Sequence, residues 1–264
     1  MAKPSAASST SKNNKLKSTP AVSNAEAKPF TPGVTGHPAL KLLNTIEKLP
    51  RPRQQPCGRS HNSHIHHFLS MKITRNVPNR HVFMSQSHYI DELCKRFLDG
   101  KHTSVSTPTD ANFKCLHRRW PEERPSSGPY NQLIGSLLWL SQCTCPDIAF
   151  AINRLSQHLR DPSEAHWHAS IRILNYLVST KLLKLKLGGK LDCCGYSDSD
   201  WAEDRDDCRS TSAYTYCVGD GAILWKSRKQ ATVSLSSTEA EYKALSDSCK
   251  EGLWLRHLLT KLHL

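Results

Sequence analysis

At Lys181 the hydrophobic pattern changes period, and this change constrains the fold of the chain more than any other feature in it. Before Lys181, apolar residues recur every three or four positions, as on the buried stripe of a helix. After it, Leu183, Leu185 and Leu187 alternate with Lys184 and Lys186, which predicts a half-buried strand. Gly188-Gly189 can supply the positive φ of a tight hairpin into a second strand, LDCCGYSDSDWA. Residues 212–218 predict a third strand with Tyr214, Tyr216 and Val218 on one face, and Gly219-Asp220-Gly221 turns it into a fourth, AILWKSRK. The remainder, SSTEAEYKALSDSCKEGLWLRHLLTKLHL, predicts a long helix. Ser236 and Glu239 match a capping box, and Tyr242, Leu245, Cys249 and Leu253 form an apolar face. A meander followed by a helix opens an α+β domain.

Residues 129–180 predict helices. In CPDIAFAINRLSQHLRD, Pro146 suits a first helical position, and Ile148, Ile152, Leu155 and Leu159 share a face. For the next helix Asp161 is an N-cap candidate, followed by Pro162 and Glu164 in the first turn. Its stripe is Trp167, Ile171, Leu174 and Val178. Further upstream, HHFLSMKITRN and RHVFMSQ predict two strands around an Asn-Val-Pro-Asn-Arg turn. SHYIDELCKRFL then predicts a helix, with Tyr89, Leu93 and Phe97 at helical spacing.

Residues 1–60 differ in composition. They hold ten Lys or Arg, two Asp or Glu, and one aromatic, Phe30. Such a segment buries too little apolar surface to offset its ordering entropy, so a disordered tail is expected. A short helical patch at Leu42, Leu43, Ile46 and Leu49 is its one apolar cluster. The whole chain carries 36 Lys plus Arg against 23 Asp plus Glu, a formal net charge of +13. That balance suits a polyanion such as nucleic acid, though a merely soluble basic protein would share it. MAKPSAASSTSKNNK lacks the apolar core of a secretory signal, and no stretch approaches the roughly 18 apolar residues of a membrane span. The ten cysteines lack the spacing of a disulfide scaffold. An intracellular location, cytoplasmic or nuclear, with free thiols and no membrane partner is the expectation.

Three acidic clusters could carry chemistry. Asp198 and Asp200 lie on a strand, Glu239 and Glu241 open the last helix, and Glu203, Asp204, Asp206 and Asp207 form a charged loop. Divalent ions need carboxylates on rigid elements at short separation. A strand carboxylate facing a helix-start carboxylate can supply part of such a site, whereas the loop cluster reads as a solvated turn. Solvated surface carboxylates are the alternative for all three. His61, His64, His66 and His67 have no Cys-x-x-Cys beside them, and Cys143-x-Cys145 and Cys193-Cys194 lack structural zinc spacing. Trp139, Trp167, Trp201, Trp225 and Trp254 read as core before base-stacking platforms.

GYSDSDWAEDRDDCRSTSAYTYCVGDGAILWKSRKQATVSLSSTEAEYKALSDSCKEGLWLRHLL resembles the ribonuclease H domain of copia-type retrotransposon Pol polyproteins. PYNQLIGSLLWLSQCTCPDIAFAINRLSQHLRDPSEAHWHASIRILNYLVSTKLLKLKL resembles the connecting segment before it. HFLSMKITRNVPNRHVFMSQSHYIDELCKRF and VSTP resemble the end of the reverse transcriptase region. The resemblance implies an α+β chain in four parts: a disordered basic tail, 1–60; a remnant of the reverse transcriptase C-terminal subdomain, 61–115; a helical connection, 116–187; and an incomplete ribonuclease H-like fold, antiparallel strands plus one long helix, at 188–264. It also implies hydrolysis of the RNA strand of an RNA–DNA hybrid with magnesium. Asp198 and Glu241 would be its catalytic, metal-binding carboxylates, and Ser237, Thr238, Arg228 and Lys229 its contacts to nucleic acid. The family uses four carboxylates, two of them on segments after this helix, and the polymerase's paired aspartates find no match here. An impaired nuclease, or a non-catalytic basic nucleic-acid-binding remnant, is the expectation.

Overall fold

The computed structural model describes residues 66–110, 113, 124–190 and 192–262. The expected disordered tail and the patch around Leu42 to Leu49 lie outside them. The first strands are short: β1, His67–Phe68, β2, Met71–Asn76, and β3, His81–Ser85. β2 and β3 pair antiparallel around the predicted Pro-containing turn, with Ile73 opposite Met84. Helix α1 covers Ser87–Leu98, as the spacing predicts, and buries Ile90, Leu93 and Cys94.

Four further helical pieces join α1 to build the main core. α2 spans Tyr130–Cys143, a 3-10 turn occupies Pro146–Ile148, α3 is Ala149–Ser156 and α4 is Glu164–Thr180. Leu133, Ile134, Leu137, Leu140, Ile148, Leu155, Ile173 and Leu174 have no exposed surface. Each such side chain contributes about 2 kcal/mol of transfer free energy. Two boundaries depart from expectation. Pro146 opens a 3-10 turn and not the α-helix, and Leu159 lies past the end of α3, partly exposed. The N-cap of α4 is Ser163, two residues beyond Asp161; its hydroxyl and amide both meet Nδ1 of His166. A histidine can take the reciprocal place that Glu or Gln fills in a capping box because its ring nitrogen accepts the cap amide.

The strand predicted after Lys181 forms as β4, Leu185–Gly188, but not in the expected hairpin. It pairs antiparallel with β3, Val82 opposite Leu187, and completes a sheet of order β1-β2-β3-β4. The glycines after it turn the chain away from this ladder. A second sheet, β5-β6-β7, is the predicted meander: Cys193–Ser199, Thr211–Val218 and Gly221–Lys229. Gly219 has φ +64° and lies against the carbonyl of Gly188, where a β-carbon would collide with it. Asp220 in the same turn accepts from Lys186 (2.8 Å) and His81 (3.0 Å), so it ties the second sheet to the first.

Helix α5, Ser237–Lys261, packs on β5 and β6. Its buried face is Ala240, Ala244, Ser248 and Leu255. The face predicted from periodicity is the wrong one: Tyr242, Leu245, Cys249 and Leu253 are exposed. Small residues win the sheet side because Tyr216 reaches from β6 to the helix backbone. Its hydroxyl donates to the Ser248 carbonyl (2.8 Å), and a β-carbon at Gly252 would strike that hydroxyl. The described residues thus form an α+β structure with five helices and antiparallel sheets. Among them no helix is long and apolar enough to cross a membrane.

Candidate functional site

The sheet β5-β6-β7 has a different helix on each side. Tyr216 faces α5, and its cross-strand partner Gly195 lies under its ring. Alternation along β5 therefore turns Ser197 and Ser199 toward α5 and Cys194, Tyr196 and Asp198 away from it. On that second face Thr215 is opposite Trp225, whose indole donates to the Ser141 carbonyl of α2 (2.7 Å). Asp200, two residues beyond Asp198, lines a small cleft with Phe150 and Arg154 of α3.

Asp198 and Glu241 are both exposed, and neither has a hydrogen bond or ion pair among the described residues. Asp198 faces the side of α2 and α3, while Glu241 lies in the second turn of the helix on the other side. Among the described residues no group of three or more His, Cys, Asp and Glu is arranged to hold a metal ion. Magnesium demands ligands at about 2.1 Å in near-octahedral geometry. Among the described residues, Asp198 and Glu241 have no third such ligand grouped with them.

The other helix-start carboxylate has a structural task. Glu239 accepts from the Leu235 amide (2.8 Å) and pairs with Lys243 (2.8 Å). The Lys243 hydrogen bond, the Leu235 amide and the Lys243 charge hold its carboxyl below the usual range. Ser236 caps the helix by accepting from the Glu239 amide (3.1 Å), so half of the predicted box forms as drawn. Ser237 and Thr238 are exposed at this helix end, where free amides and the helix dipole favour an anion. The two basic candidates are engaged elsewhere. Arg228 donates to Asp247 of α5 (2.6 Å), and Lys229 bridges Asp204 (2.5 Å) and Asp207 (2.8 Å).

The charged loop is not the solvated turn that its composition suggests. Asp204 is 2% exposed and lies between Arg154 of α3 and Lys229 of β7. Burial alone would push its carboxyl up. Hydrogen bonds from Lys229 and the Asp206 amide, with the charges of Arg154 and Lys229, outweigh burial and hold it below the usual range. Sequence reasoning also missed Gln230. Its amide donates to Ser212 (2.8 Å) and the Ala240 carbonyl (3.0 Å) and accepts from Ser234 (2.7 Å), locking the approach to α5. A polar residue at a strand end, just before a Ser/Thr-rich loop, was the only signal for it. Among the described tryptophans, Trp201 is the one that stands out in solvent, at 57% exposure. Its indole donates to the Ser234 carbonyl (3.1 Å).

Comparison with known proteins supplies the family. The chain is 38% identical over 202 residues to the retrovirus-related Pol polyprotein from transposon TNT 1-94 of Nicotiana tabacum, which covers 74% of this chain and 15% of that protein. It is 35% identical over 232 residues, 87% of its length, to the Pol polyprotein from transposon RE2 of Arabidopsis thaliana, again 15% of the relative. A third relative, named a secreted RxLR effector protein of Plasmopara viticola, is 45% identical over 129 residues, 48% of this chain and 91% of that one. No family model matches the chain, and no solved structure matches it. The protein class is a retroelement polyprotein. The chain belongs to the retrovirus-related Pol polyproteins of copia-type transposons, and it spans 15% of the length of the first relatives it matches.

Proposed function

We propose that this chain serves the ribonuclease H end of a retrotransposon Pol polyprotein, engaging an RNA–DNA hybrid without cutting it on its own. A ribonuclease H-like reading is supported by the order of elements: three antiparallel strands, then a capped helix packed on the first two of them. The polymerase and connection readings rest on the resemblance of residues 66–187. Hybrid contact would centre on Ser237 and Thr238 at the open end of α5, with a formal net charge of +13 to draw in the phosphates.

The impaired reading is supported by the β5–β6 register, in which strand alternation turns Asp198 away from α5, the helix that carries Glu241. Magnesium would be the ion of the family reaction, and Asp198 and Glu241 are the residues the resemblance assigns to it. Two carboxylates directed to different faces would leave a divalent ion without the closely spaced anionic oxygens that two-metal hydrolysis requires. The test uses a labelled RNA–DNA hybrid with magnesium or manganese. Binding that weakens steeply with salt, and cleavage no greater than that of an Asp198→Asn, Glu241→Gln double variant, is expected. Cleavage abolished by either substitution would restore the active-nuclease reading. Absence of binding at low salt would remove the nucleic-acid role altogether.

A further inference from the structure

Cys194 on β5 and Cys217 on β6 are direct cross-strand partners. Partners in an antiparallel ladder share a face, with α-carbons about 4.5 or 5.5 Å apart according to their place in the hydrogen-bond pattern. Both spacings fall inside the range of about 4.4–6.8 Å that a disulfide tolerates. Cys194 is exposed, Cys217 is half-buried, and both are free thiols. We propose that Cys194 and Cys217 form a surface dithiol site that a peroxide-class oxidant closes into a disulfide across the β5–β6 ladder.

Cys193 is opposite Val218, and alternation turns its side chain to the other face of the strand from Cys194, although its charge still reaches Cys217. Consecutive residues of an extended strand point to opposite faces, so a bridge between Cys193 and Cys194 would require the strand to break. Cys217 also adjoins a register shift between β6 and β7, which eases the small approach of the β-carbons that bonding needs. Burial and then the Cys194 thiol beside it push the Cys217 thiol up, so oxidation should quicken as pH rises from 7 to 9.

The chemistry balances with one peroxide. A thiolate of the pair attacks one peroxide oxygen; an S–O bond forms, the O–O bond breaks, and hydroxide leaves to become water. The partner sulfur then attacks the sulfenic sulfur; S–S forms, S–O breaks, and a second water leaves. Two thiols lose two electrons and hydrogen peroxide gains them. β5 is an edge strand of its sheet and carries Asp198. The bridge would fasten that strand to β6 and restrict the unfolded chain.

The experiment treats the full chain with hydrogen peroxide, alkylates the remaining thiols and maps tryptic peptides without reduction. Peptides 191–205 and 210–226 are expected as a linked pair in the wild type and in C193S, and separate in C194A and in C217A. The linked monomer should melt about 5–10 °C higher than the reduced one, and dithiothreitol should reverse the shift. Linkage that survives in C194A but not in C193S would overturn the assignment. So would alkylation of both Cys194 and Cys217 after peroxide, or linked peptides found only in covalent dimers.

Discussion

Arg154 donates to Asp204 at 2.5 Å, so α3 is bonded to a loop that lies fifty residues later in the chain, with both side chains buried. Lys229 completes the group from the end of β7. The cluster joins the helical core to the second sheet. Removing one partner from a buried charge pair strands the other. Asp204→Asn should therefore lose about 3–5 kcal/mol of unfolding free energy, while Arg154→Met with Asp204→Leu should lose less than the single change. Urea denaturation with an unchanged m-value would measure it. A loss under about 1 kcal/mol would show that the pair is dispensable.

The sequence made some of this legible and hid the rest, for reasons visible at single residues. Where a segment folds against what lies next to it, periodicity sufficed: α1, the β2–β3 turn and the β5–β6–β7 meander have close to their predicted bounds. Partner choice was not legible. Leu185 and Leu187 announce a strand, but nothing in them says that β3, a hundred residues earlier, is the neighbour. Nor does composition separate Asp204, which is buried, from Asp206 and Asp207 in the same loop. Asp198 and Glu241 could be named from the family motif, but which side of the sheet each faces needed the register with Tyr216.

A pH effect follows from the two stacked histidines beneath that loop. The His158 and His166 rings stack at 4.1 Å. Burial pushes His158 down from its ordinary value near 6.5; the Asp206 and Asp204 charges oppose this, and Arg154 and Lys229 add to it. The folded chain therefore binds this proton less readily than the unfolded chain. Stability from this residue is fully present above pH 6.5 and is lost as pH falls below it. Asp204, held below its usual range, adds a second loss at lower pH, starting near the ordinary aspartate value of 3.8. Thermal melts from pH 8 to 5 should fall for the wild type and flatten for His158→Phe. Equal slopes for the two would remove His158 as the cause.

The cap of α5 gives a smaller and cleaner measurement. The Ser236 hydroxyl accepts from the Glu239 amide at the exposed start of α5. Ser236→Ala should cost about 1 kcal/mol, and Ser236→Asp should restore most of it, because either oxygen type satisfies the free amide. If hybrid binding also centres on this helix end, Ser236→Asp should weaken binding while it repairs stability, since a new negative charge faces the phosphate. Parallel gains in stability and affinity would place the nucleic acid elsewhere.

The two faces of α5 can be told apart by substitution. A helix read from its large apolar residues would be docked through Tyr242, Leu245 and Leu253, which are 68%, 48% and 50% exposed. The sheet is in fact approached by Ala240 and Ala244, at 0% and 1%. Ala244→Leu adds three carbons at a buried position of α5, and overpacking of this kind costs about 1–3 kcal/mol. Leu245→Gln removes apolar surface that water already reaches, and such a change stays within about 0.5 kcal/mol. Helix propensity does not confuse the comparison, because Ala, Leu and Gln are all good formers. Denaturation of the two variants beside the wild type should thus show a large loss at residue 244 and almost none at residue 245. The reverse order would mean that α5 docks through its large residues after all, and that the Tyr216–Ser248 contact does not set its orientation.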